Sequence, residues 1–83
     1  MSYKLTILSS TGVIAKTTTT STYLPTTSGE VGILDNHRAY CTVLAPGTLR
    51  YTAEGGSDAA PKTVEIKGGF AEFSRGELVV LAG

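Results

Sequence analysis

His37 is the only histidine in the sequence; Asp35 stands two residues before it, and Cys41, the only cysteine, four residues after it. With Ser28, these residues supply the types found in a hydrolytic triad. A triad needs the imidazole within hydrogen-bond reach of both nucleophile and carboxylate, with an oxyanion hole beside them. Spacing along the chain promises neither, and the competing reading is a histidine in a turn. His37 and Cys41 could also act as an imidazole–thiol pair, since a reactive cysteine wants a neighbouring base. Cys41, however, falls in an apolar run with Ala39, Val43 and Leu44, where a free cysteine behaves as a small hydrophobe. Structural zinc takes about four Cys or His ligands, and the chain has one of each.

The glycine-rich stretches are the remaining candidates. Gly29-Glu30-Val31-Gly32 and Lys67-Gly68-Gly69 lack the spacing of a phosphate-binding loop, and neither leads into a helix whose N-terminus could hold phosphate. They read instead as turns, bulges or places of close backbone approach. No catalytic, metal or cofactor constellation survives. That outcome points to a binding or assembly module rather than an enzyme.

The elements that must position these residues are strands. Tyr3, Leu5 and Ile7 alternate with Lys4 and Thr6, the period-two pattern of a strand with one buried face. Thr11-Gly12 marks a turn, and Val13 to Leu24 is a long threonine-dominated run expected to bend or break near its middle. Threonine suits a solvent-facing strand, so the Thr17–Thr22 segment reads as structural. Pro25 to Gly29 reads as a loop, Val31 to Leu34 as a short strand and Asp35-Asn36-His37 as a turn. Ala39 to Leu44 and Thr48 to Thr52 are strands about a Pro46-Gly47 turn. Residues 54–61 (EGGSDAAP) read as a mobile hairpin tip. Lys62 to Lys67, Phe70 to Phe73 and Glu77 to Leu81 complete the set, separated by Gly68-Gly69 and Arg75-Gly76. About ten short strands with Gly and Pro punctuation, and no sustained helical stripe, predict an all-β antiparallel sandwich or flattened barrel.

Composition narrows the function classes. Eighty-three residues make one domain, spanning residues 1–83, with no linker or repeat. A hydrophobic content of 41% is that of a globular chain. Seven basic residues balance seven acidic ones without clustering, so no field draws the domain to nucleic acid or to an anionic membrane. No apolar run approaches the ~18 residues of a membrane span, and no charged-then-apolar leader opens the sequence. One cysteine cannot form an internal disulfide, and the simplest compartment is a reducing cytoplasm.

The stretch Gly29-Glu30-Val31-Gly32-Ile33-Leu34, a two-residue turn, His37, a threonine-bearing strand and then Pro46-Gly47-Thr48-Leu49-Arg50 resembles the epsilon subunit of F-type ATP synthases. Lys67-Gly68-Gly69-Phe70-Ala71-Glu72 followed by Leu78-Val79-Val80-Leu81-Ala82 resembles the last two strands of that family's sandwich, in order and at the right distance. The opening strand agrees, as does Pro25 before the acidic loop. No single motif is specific; their joint order and spacing over essentially the whole chain are. Two departures stand out. Asp35-Asn36-His37-Arg38-Ala39 replaces the family's Pro-Gly-His-Ala-Pro, conserving turn chemistry while changing surface charge. The sequence also stops at Gly83, where the sandwich ends, without the family's C-terminal helical hairpin.

The resemblance implies a non-catalytic central-stalk subunit, monomeric in isolation. It would bind the gamma subunit and the ring of c subunits, support coupling of proton flow to ATP synthesis, and need no cofactor or metal. It would lie peripherally in the F1 sector, at the cytoplasmic face of a bacterial inner membrane, with membrane contact only through the complex. Carried over by position, Glu30 would face the basic c-ring loops, with His37 and Thr42 in the same rotor-facing region. Two other classes stay open: a stand-alone β-sandwich that binds another protein or a ligand, and a small hydrolase using His37.

Overall fold

Period-two alternation produces the observed structure, a computed structural model that describes residues 2–34, 38–53 and 61–83. Eight strands follow in order: β1 (Tyr3–Ser9), β2 (Gly12–Thr26), β3 (Gly29–Leu34), β4 (Tyr40–Leu44), β5 (Gly47–Ala53), β6 (Lys62–Ile66), β7 (Gly69–Ser74) and β8 (Glu77–Ala82). No described residue is helical. The expected turn at Asp35–His37 and, of the expected tip at 54–61, residues 54–60 lie outside the described residues.

The strands form one continuous hydrogen-bonded sheet that folds into two layers. The first layer is the early half of β2, then β1, β8, β7 and β4; β1 and β8 are parallel and the other pairs antiparallel. The second layer is β3, the late half of β2, β5 and β6. Inward residues of both layers make one core, including Leu5, Ile7, Leu24, Ile33, Leu49, Leu78 and Val80, each fully buried. Pairings between consecutive strands are joined by remote ones, of which β1 with β8 makes the two ends of the described sheet neighbours.

Eight strands stand among the described residues where about ten are expected, and the unbroken threonine run accounts for one of the difference. Val13 to Leu24 does not break; it belongs to one 15-residue strand that serves both layers. The strand bends near Thr19, where its register against β5 shifts before Thr22. Hydroxyls make the bend tolerable. The Thr19 hydroxyl proton lies between the carbonyls of Thr52 (2.5 Å) and Ser21 (2.9 Å), and its oxygen accepts the Ser21 N–H at 3.2 Å. Backbone groups released by the irregularity thus find partners inside the protein. Thr19, Thr22 and Thr26 are buried, contrary to the expectation of a solvent-facing run. Threonine serves here as a β-branched residue that brings its own hydrogen bond into the core.

Pro25 is likewise in β2 and not in a loop. It lacks an N–H, but its carbonyl accepts from Ala45 N–H at 2.9 Å, which ties the end of β2 to the segment between β4 and β5. At the β7–β8 hairpin, Arg75 and Gly76 both have positive φ, 52° and 75°. That is the conformation of a two-residue turn whose twist matches its strands.

Tyr3 joins the layers. Its ring meets Phe73 edge-on at 5.2 Å, while its hydroxyl donates to the Ile33 carbonyl at 2.6 Å and lies 2.9 Å from Thr22 Oγ1. Tyr3→Phe keeps the ring and strands both partners in a dry core. It should lower stability by about 1–3 kcal/mol, measured as a reduced denaturant midpoint with an unchanged slope.

Candidate functional site

Residues turned outward from the first layer fall into rows fixed by strand register. At one end Val13, Leu8, Leu81, Phe70 and Val43 stand side by side across β2, β1, β8, β7 and β4. Four of them, Val13, Leu81, Phe70 and Val43, are 41% to 62% exposed. In the next row Lys16, Thr6, Val79, Glu72 and Cys41 are neighbours, and beyond it Thr18, Lys4, Glu77 and Ser74. The face therefore grades from apolar at one end to charged and hydroxylic at the other. Scattered exposed apolar residues are ordinary, but four exposed in one five-strand row, with Leu8 between them, make a candidate docking surface.

The outer face of the second layer is built differently. Tyr23 and Pro25 point outward from β2, its middle strand, and each lies against a glycine on a neighbour. A Cβ at Gly32 would meet the Tyr23 ring at 2.9 Å, and one at Gly47 would meet the Pro25 ring at 3.0 Å. The absence of side chains lets both rings lie across the sheet. Arg50 on β5 places its guanidinium carbon 4.9 Å from the centre of the Tyr23 ring. Its Nη2 reaches Glu30 Oε2 on β3 at 2.9 Å. The arginine thus crosses the middle strand to an acid on the far one. At the other side of this face Thr48 hydrogen-bonds Glu65 of β6.

Of the residues singled out from the sequence, Glu30 is exposed in β3 and ion-paired to Arg50. Thr42 is half-buried in β4, on the side of Tyr40 and Leu44 that turns toward the second layer. Glu30 and Thr42 therefore occupy different layers and do not share a face. His37 lies outside the described residues. Cys41 is exposed beside Glu72, not packed as its apolar neighbours suggest, because odd positions of β4 face outward. Ser28 sits in the β2–β3 turn, its N–H donating to Thr26 Oγ1 at 3.1 Å. Among the described residues no group of three His, Cys, Asp or Glu side chains could hold a metal.

Two features escaped the sequence reading. Arg50, twenty residues beyond Glu30, becomes its partner only through the β3–β2–β5 order. The apolar row does leave a trace: Leu81, Phe70 and Val43 each sit beside an inward apolar residue and so break the period-two pattern at a strand end.

Comparison with known proteins places this geometry. Residues 2–83 match the family model described as the ATP synthase, Delta/Epsilon chain, beta-sandwich domain. An ATP synthase epsilon chain from Carboxydothermus hydrogenoformans is 35% identical over 79 residues, covering 95% of this chain and 56% of that one. One from Synechococcus sp. (strain WH7803) is 40% identical over 58 residues, 70% of this chain and 40% of its own. The chain thus spans about half the length of these relatives. A chain in the cryo-EM structure of the Euglena gracilis mitochondrial ATP synthase, comprising OSCP, F1 and c-ring, superposes with a TM-score of 0.83 at 29% identity. The superposition covers 94% of this chain and 48% of that one. The family model spans nearly the whole of the two-layered sheet, and the chain is a member of the ATP synthase delta/epsilon β-sandwich family.

Proposed function

We propose that the chain is a non-catalytic element of the rotor of a proton-translocating F-type ATP synthase, seated between the gamma subunit and the c-ring. The observation that carries this reading is the apolar row Val13–Leu8–Leu81–Phe70–Val43. A small domain that exposes such a row in isolation has a partner to cover it, and gamma is assigned to that face. Glu30 is assigned to the basic loops of the c-ring, with His37 as a further rotor contact; Thr42, turned toward the second layer, is not carried into that contact. Rotary coupling through such a domain is transmission of torque by contact; it needs rigidity and complementary charge, not a reactive group. The domain is peripheral to the membrane in the F1 sector, which in a bacterium is the cytoplasmic face of the inner membrane.

The test is co-elution. Mixed with gamma, or with a gamma–c-ring assembly stripped of its own epsilon subunit, the chain should move into the complex on size exclusion, whereas alone it should run as a monomer. Persistent separation at micromolar concentrations would favour a stand-alone binding module instead.

A further inference from the structure

Glu30 has three rotatable side-chain bonds, sits on a strand paired along β2 alone and is half exposed. Left to itself, such a carboxylate samples many positions and must be ordered whenever a partner binds. Here it is already held. The Arg50 guanidinium lies over the Tyr23 ring at 4.9 Å and its Nη2 contacts Glu30 Oε2 at 2.9 Å. Tyr23 is in turn seated on Gly32, whose missing side chain is what allows the ring to lie there. Three adjacent strands thus contribute one member each to a single assembly.

We propose that Arg50 is a positioning residue: clamped on Tyr23, it fixes one oxygen of Glu30 and leaves Oε1 to take a cation from the partner. The assignment rests on the rotor reading given above, in which Glu30 meets basic loops. It changes what that contact is. An arginine-paired carboxylate carries little net charge, so long-range attraction contributes little and geometry contributes more. Binding through this face is accordingly only weakly salt-dependent. Lysine cannot replace Arg50, because an ammonium is a point charge without the planar fork that can stack on a ring and reach a carboxylate at once.

Two measurements test this. In the isolated chain, the Arg50 Hδ proton resonances should be shifted upfield by the Tyr23 ring; Tyr23→Leu should abolish the shift and Glu30→Gln should reduce it. Binding is then measured to the gamma–c-ring assembly stripped of its own epsilon subunit. Arg50→Gln and Glu30→Gln should each weaken it about two- to fivefold, the range of an exposed ion pair. The double variant should be no weaker than the worse single variant, as for residues acting as a unit, and Arg50→Lys should fail to restore wild-type affinity. An absent ring shift, additive losses, full rescue by lysine, or unchanged or tighter binding by Arg50→Gln beside a weakened Glu30→Gln would each overturn the assignment while leaving the rotor reading intact. If the wild-type chain does not bind the assembly, both fall together.

Discussion

Gly69→Ala should lower the melting temperature of the chain by about 12 °C or more, the largest effect expected of any single methyl group added to this fold. Gly69 opens β7 with φ of +131°, outside the range open to other residues. It is also wedged against β8. A Cβ there would be driven far inside contact distance of the Leu81 carbonyl oxygen, with the Leu81 carbonyl carbon at 3.0 Å and Ala82 Cα at 3.1 Å. All three are backbone atoms of a paired strand and cannot swing aside. Strain at such a φ costs roughly 1–3 kcal/mol, and the Gly69–Ala82 and Phe70–Leu81 pairs must separate in addition. A total of about 3 kcal/mol or more is a large share of the roughly 4–12 kcal/mol that holds a domain of this size. At about 4–8 °C per kcal/mol, the shift follows. Gly68→Ala is the control: its φ is +138°, but the nearest atom, Leu44 O, lies 3.6 Å away. It should suffer the backbone strain alone. Equal melting temperatures for the two alanine variants would refute the account.

Phe70→Glu or Leu81→Glu should leave the isolated domain nearly as stable as wild type and remove most of its affinity for the rotor partner. Both side chains point away from the core, where substitutions shift stability by about 0.5 kcal/mol or less. In a covered interface, a carboxylate at the centre of the apolar row loses packing and meets no counter-charge. Central aromatic and aliphatic anchors of this kind contribute about 2 kcal/mol or more, roughly thirtyfold in affinity. Ser74→Glu, on the same face but in the polar row beside Glu77, should change binding little. Calorimetric melting of each variant with titration into the gamma complex separates the two effects. Retained affinity in both apolar-row variants, with folding intact, would mean that the row is not the covered surface.

These expected results draw on different levels of information. The sequence by itself determined the class of the fold, because alternation in Tyr3–Ile7 and Val64–Ile66 is a local signal that needs no partner to be read. It determined where the chain turns: Arg75-Gly76 and Thr11-Gly12 carry their conformational preference in their own covalent structure. It also identified the family, since order and spacing of short motifs survive without coordinates. Strand number was less legible. The threonine run carries no turn residue that chooses between a bend and a break, and only the tertiary structure shows a single bent strand, with the Thr19 hydroxyl donating to the Thr52 carbonyl. The same holds for Cys41, whose apolar neighbours say nothing about which side of β4 faces water. Surface constellations were the least legible of all. Leu8 meets Leu81, and Val43 meets Phe70, through pairings of strands remote in sequence, and Arg50 reaches Glu30 across a third strand. Periodicity is a property of a few consecutive residues, whereas a face is a property of register between distant ones, and register is set only when the whole core closes.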